Sequence, residues 1–154
     1  MIREPMFHVR HITPAALTFG ILLMTSASFL HVAKADTVAG RVLYAEHCAT
    51  CHGVHLEGQP DWRSPDVNGL YPAPPHDETG HTWHHDDAML LDYITRGGQA
   101  VLDDMGVTFT SGMPAFGSAL NEREIRAILN YIKSTWPEDI REMQAQRSKS
   151  VTDN

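Results

Sequence analysis

Cysteine is scarce in this chain: two in 154 residues, Cys48 and Cys51. With no second pair, a disulfide framework and a four-thiolate zinc site are excluded. Basic charge is also scarce, 12 Lys and Arg against 19 Asp and Glu, for a formal net charge of −7. Such a surface argues against nucleic acid and anionic lipid and steers the protein towards basic patches on protein partners. Solubility alone would ask for the same balance. No internal repeat is visible, and one long apolar run stands out, residues 12–30.

Both cysteines lie in Cys48-Ala49-Thr50-Cys51-His52. Two thiols separated by two residues can add to the two vinyl groups on one edge of a porphyrin, and the adjacent imidazole is then held under the iron. The box therefore reads as attachment of one covalent haem c through Cys48 and Cys51, with His52 as proximal axial ligand. A thioredoxin-like pair would need a βαβ pattern around the motif, and these flanks read as helical. A buried macrocycle would also supply apolar core that so short a chain, without disulfides, lacks.

Residues 1–35 read as a secretory signal. Arg3 and Arg10 form its positive start, Pro14 to Leu30 its uncharged stretch and Ala33-Lys34-Ala35 its cleavage site, giving a mature start at Asp36. The alternative is an uncleaved membrane anchor, since Ile12 to Leu30 is about long enough to span a bilayer. Export to the periplasm fits the haem. The remaining 119 residues suit one domain, 36–136, followed by a polar C-terminal tail, 137–154. Removing the leader shifts the charge to nine basic against eighteen acidic residues.

Three helices can be placed. From Thr37 to about His47, Val38, Val42 and Tyr44 lie near helical spacing and run into the cysteine box. Asp86 to Thr95 carries Met89, Leu90, Tyr93 and Ile94, with acidic residues at its start and Gly97-Gly98 as its stop. In the last, Asn121 is an N-cap with Glu124 in capping-box position, then Ile125, Ile128, Leu129 and Ile132 form an apolar stripe that Trp136-Pro137 closes. The tail beyond is expected to be a solvated helix or disordered. Residues 53–85, rich in Pro, Gly, His and Asp, read as loop.

A second axial ligand is expected at Met113 in Gly112-Met113-Pro114-Ala115-Phe116-Gly117, where Pro114 fixes the backbone and the glycines allow close passage. Met105 follows Asp103-Asp104, and Met89 and Met143 sit in helical stretches, so they compete less well; packing alone is the plainer role for any methionine. A thioether opposite an imidazole favours ferrous iron and raises the potential. With both axial positions filled no site is open to a small-molecule substrate, which argues for an electron carrier rather than an enzyme.

The ordered set of helix, C-x-x-C-H, loop, short helix, Met-Pro loop and final helix resembles a single-haem class I c-type cytochrome of the small exported bacterial kind, over roughly Asp36 to Trp136. The resemblance implies an all-α fold wrapped around one haem c, with Gly40 and Tyr44 of the first helix crossing Ile128 and Tyr131 of the last. It implies a proline carbonyl accepting from the proximal imidazole, with Pro60 the candidate and Pro65 its rival. It also implies a haem propionate bonded by Trp83 of Thr82-Trp83, and a tyrosine, Tyr93, near the axial sulfur. The implied partners are redox proteins in the periplasm or inner membrane.

His76, His81, His84 and His85, interleaved with Asp77, Glu78, Asp86 and Asp87, are a donor set for Cu(II), Zn(II) or Ni(II), or else polar side chains that cap a helix and face water. Two other classes thus stay open: a haem enzyme or sensor in which Met113 detaches, and a copper-handling protein that works through the histidine loop.

Overall fold

The computed structural model describes residues 36–152, with side chains to Ser150, so the secretory-signal segment lies outside the described residues. The elements, in order, are helix α1 (36–47), a single turn α2 (Ala49–His52), a short strand β1 (Leu70–Tyr71), a 3-10 turn (Thr82–His84) and helices α3 (Asp87–Arg96) and α4 (Gly98–Asp104). Strand β2 (Thr110–Ser111) and helices α5 (Glu122–Ser134) and α6 (Glu138–Thr152) follow. The fold is mostly helical, with β1 and β2 as one parallel pair. Among the described residues no helix is long and apolar enough to cross a membrane.

Helix α5 organises the core. Asn121 accepts from the Glu124 backbone N–H while the Glu124 carboxylate accepts from that of Asn121, so two helix-end donors are satisfied reciprocally. The stripe this starts, Ile125, Ile128, Leu129 and Ile132, is buried together with Tyr44, Leu56, Leu90, Ile94, Leu120 and Trp136. Helix α1 crosses α5 so closely that a Cβ at Gly40 would overlap the Ala127 carbonyl oxygen and lie 3.1 Å from the Ile128 nitrogen. One turn on, the Tyr44 and Tyr131 rings meet at 5.4 Å. The Gly40/Tyr44 crossing with Ile128 and Tyr131 is thus as the resemblance implied.

Helix α3 begins one residue later than expected, with Asp86 outside it as N-cap, accepting from Met89 N–H at 2.9 Å. Gly97 stops it, but Gly98 opens α4, which the sequence reading missed; its buried Val101 and Leu102 explain why the chain coils again.

The polar tail is helical, α6, as one of the two expectations had it, but it is not solvated all round: one face is docked through Gln144, only 2% exposed. The Gln144 amide donates to Asp87 Oδ1 at 2.6 Å, to Ser148 Oγ at 3.1 Å and to the His85 carbonyl at 3.2 Å. Lys133 of α5 donates to the same Asp87 oxygen, and Ser148 Oγ accepts the Asp87 N–H at 3.0 Å. One carboxylate therefore ties α3, α5 and α6. Burial raises its pKa, but the bonds from Lys133 and Gln144 outweigh that and hold it below the ordinary Asp value. Its contribution is full above about pH 4 and fades as pH falls through the depressed folded-state value. Asp87→Ala should cost about 1 kcal/mol, the site being part-exposed. Hydrogen exchange checks this: α6 amides lose protection while the α5 core keeps it. Unchanged α6 exchange would show that the network does not hold the helix.

Candidate cofactor site

The Cys48–His52 turn continues directly from α1, with Cys48 N–H donating to the Tyr44 carbonyl at 2.9 Å and His52 N–H to the Cys48 carbonyl at 2.9 Å. Tyr44, buried in the α1–α5 crossing, sends its hydroxyl to the Gly53 carbonyl at 3.2 Å and, more weakly, to that of His52 at 3.4 Å. The crossing thus positions the turn. Both cysteines are free thiols, Cys48 half-buried and Cys51 exposed. Burial, then the neighbouring Cys51, pushes the Cys48 thiol up to about 11. The turn follows helix α1, and among the described residues no βαβ unit surrounds it, so the thioredoxin alternative lacks its fold.

His52 is 7% exposed. Its Nδ1 lies 2.8 Å from the Pro74 carbonyl, which can only accept, so Nδ1 carries the proton and the Nε2 lone pair is the one available to a metal. Burial lowers its pKa and so favours the neutral, ligating form, while the Pro74 bond offsets that shift in part. The orienting carbonyl is therefore that of Pro74, correcting Pro60 and Pro65, both of which are exposed. The segment 58–75 holds five prolines, and their spacing to His52 does not rank them. The distinguishing sign is glycine: a Cβ at Gly58 or at Gly80 would overlap the Pro74–Pro75 backbone, so both glycines let the chain close around that dipeptide.

Met113 is partly buried against the core. Its loop is fastened to the end of α3 and the start of α4 by bonds from Gly98 N–H to the Met113 carbonyl, Phe116 N–H to that of Ile94 and Gly117 N–H to that of Thr95, each 3.0 Å. The flanking glycines meet protein: Gly112 lies against Leu70 and Gly117 against Thr95. Tyr93 is brought to the loop through Ser111, whose Oγ is 3.2 Å from the Tyr93 hydroxyl and accepts the Met113 N–H at 3.3 Å. Trp83 is partly buried against the core, and its indole N–H donates to the Glu78 carbonyl at 3.3 Å. Of the rival methionines, Met105 is more than half exposed at the end of α4, and Met143 is exposed on α6.

In the histidine loop His81 and His85 meet edge to face at 5.4 Å, and the rings otherwise stack on separate partners. His76 stacks on His52 with centroids 3.8 Å apart, His81 on Trp62 at 5.4 Å and His84 on Trp83 at 3.7 Å. Asp77 caps Thr79, Asp86 caps α3 and Asp87 binds Lys133. Among the described residues no group of three or more His, Cys, Asp or Glu is placed to hold a metal ion. The capping contacts are of the kind expected from the other sequence reading, polar side chains that cap a helix. His76, missed as a site residue, is held neutral by burial and then by its neighbours His52 and His81, and backs the His52 ring as a flat plate.

The donor set fits a haem: two free thiols at the attaching spacing, a buried imidazole with only Nε2 left to ligate, and a thioether on a fastened loop. A family model described as cytochrome c matches residues 37–136. The Cbb3-type cytochrome c oxidase subunit FixP of Bradyrhizobium sp. (strain ORS 278) is 29% identical over 101 residues, covering 64% of this chain and 27% of FixP. The chain thus spans about a quarter of that relative's length. No solved structure gives a significant match.

Proposed function

The chain belongs to the cytochrome c family, with Cys48, Cys51 and His52 as its haem c attachment box and electron transfer as its activity, and from that premise we propose an exported, periplasmic carrier whose iron is held between His52 and Met113. The observation that carries this reading is the Pro74 carbonyl 2.8 Å from His52 Nδ1, which orients a buried imidazole with Nε2 free. Bound haem supplies the one-electron Fe(II)/Fe(III) couple.

The protein's own residues do the rest. Pro74 and the His76 plate hold the His52 ring in one orientation and tautomer, so that no proton moves at Nδ1 during turnover. Met113, on a backbone tied to α3 and α4, would supply its thioether as the second protein ligand to the iron. Tyr93 steadies that loop through Ser111. Trp83 is assigned to a propionate, its present bond to Glu78 being long and weak. With haem attached, the edge near the Cys48 and Cys51 thioethers would be the one that meets a partner, with Cys48 on its core side.

The partners are redox proteins of the periplasm or inner membrane. The likeness to a cbb3-type oxidase subunit supports that class, and transient redox docking buries at most about 1,200 Å². Optical spectra of protein matured with covalent haem c test the ligation. We expect low-spin spectra, a far-red sulfur-to-ferric-iron band and a ferrous form that refuses CO while folded. A high-spin spectrum or ready CO binding would replace this reading with the enzyme or sensor alternative.

A further inference from the structure

The β1–β2 pair is the element the cofactor site does not by itself require. It is a parallel ladder of two residues a side, Leu70 with Thr110 and Tyr71 with Ser111. A ladder that short has no independent stability, so side chains must hold it. The Tyr71 and Phe109 rings stack at 4.1 Å and 22°. Leu70 Cδ1 lies 3.2 Å from where a Cβ of Gly112 would stand. Both ends are pinned: Asp66 Oδ1 accepts the Asn68 and Leu70 N–H groups at 2.8 and 2.9 Å, and Ser111 N–H donates to Gln99 Oε1 at 2.9 Å.

What the ladder joins gives it meaning. Three residues after β1 stands Pro74, whose carbonyl orients His52; two residues after β2 stands Met113. Residues 105–108, between α4 and the ladder, are exposed. Backbone bonds from α3 and α4 hold the Met113 loop at Met113 and on its C-terminal side, and the ladder, together with Tyr93 and Gln99 at Ser111, holds it from the N-terminal side.

We propose that this ladder is a strap coupling the segment that orients His52 to the segment that carries Met113, with Tyr71 and Phe109 as positioning residues that set how often the thioether leaves the iron. The inference rests on the His52/Met113 ligation proposed above. Aromatic stacking supplies the holding force, and a loop released on one side samples detached states more often.

Imidazole binding to the ferric holoprotein tests it, because an external ligand enters only when Met113 is off, and its apparent affinity scales with that fraction. Tyr71→Ala and Phe109→Ala should each lower the apparent imidazole Kd about tenfold, equivalent to about 1.4 kcal/mol. Tyr71→Phe, which keeps the stack, should leave it unchanged. Leu129→Ala, a core change away from the ladder, should lower thermal stability without a comparable shift. Phe109→Leu, milder, should give a shift of about threefold and serves if Tyr71→Ala does not fold. The strap is overturned if folded ladder variants stay within twofold of wild type, or if Leu129→Ala moves the Kd as far as they do. A wild type without the sulfur–iron band overturns the ligation itself, a failure distinct from that of the strap.

Discussion

Met113→Ala in the haem-loaded protein should abolish the far-red sulfur-to-ferric-iron band, open the ferrous form to CO and lower the reduction potential. The thioether is neutral and soft, so it stabilises ferrous over ferric iron; removing it leaves water or a harder donor, which favours ferric iron. We expect a fall of more than about 60 mV, a tenfold change in the ferrous-to-ferric ratio for a one-electron couple. The fold should survive, because Met113 is only partly buried and its loop is held by backbone bonds to α3 and α4 that the substitution leaves intact. Redox titration followed optically reads the potential, the band and CO binding in one experiment. If potential and band both stay at wild-type values, Met113 is a packing residue and the sixth ligand lies elsewhere.

Gly40→Ala should be among the most damaging single methyls at the described glycines. A Cβ there overlaps the Ala127 carbonyl oxygen, and the obstacle is helix backbone, which cannot rotate away as a side chain can. Helices α1 and α5 would have to separate, loosening the Tyr44–Tyr131 contact and with it the Tyr44 hydroxyl that pins the Cys48–His52 turn. Inserting one methylene into a packed core costs about 1–3 kcal/mol; with two backbones opposed we place this at roughly 3 kcal/mol or more. Urea unfolding of the holoprotein measures it. A loss below about 1 kcal/mol would mean that the crossing yields easily.

Features that depend on local spacing were legible in the sequence. The haem box is five consecutive residues, and the Asn121/Glu124 box with its 3.6-residue stripe located α5. Gly40 and Tyr44 were placed by likeness to a known family rather than by periodicity, and the crossing bears them out. What escaped depends on pairing across distance. Pro74 differs from Pro60 only in where the chain folds back, with Gly58 and Gly80 as the sole written trace of that closure. Helix α4 was hidden because Gly97-Gly98 looks like a stop, whereas one glycine ends α3 and the next opens α4. The docking of α6 turns on Gln144, a polar residue in a polar run, whose burial is satisfied by Asp87, 57 residues earlier. The histidine loop left two readings open because residue type alone does not show that His76, His81 and His84 stack on three different partners.

The Gly40–Ala127 crossing also bears on how fast the molecule forms. The two residues are 87 positions apart, so the contact on which the core most depends is also one that closes most of the chain into a single loop. Folding should be slow for a helical protein of this size, because that closure must precede the burial that rewards it. Closure entropy grows only logarithmically, however: doubling a loop adds about 0.6 kcal/mol. Residues 60–65, between the Gly58 contact and the ladder, can therefore lengthen or shorten at little thermodynamic cost, leaving α1 and α5 to meet as before.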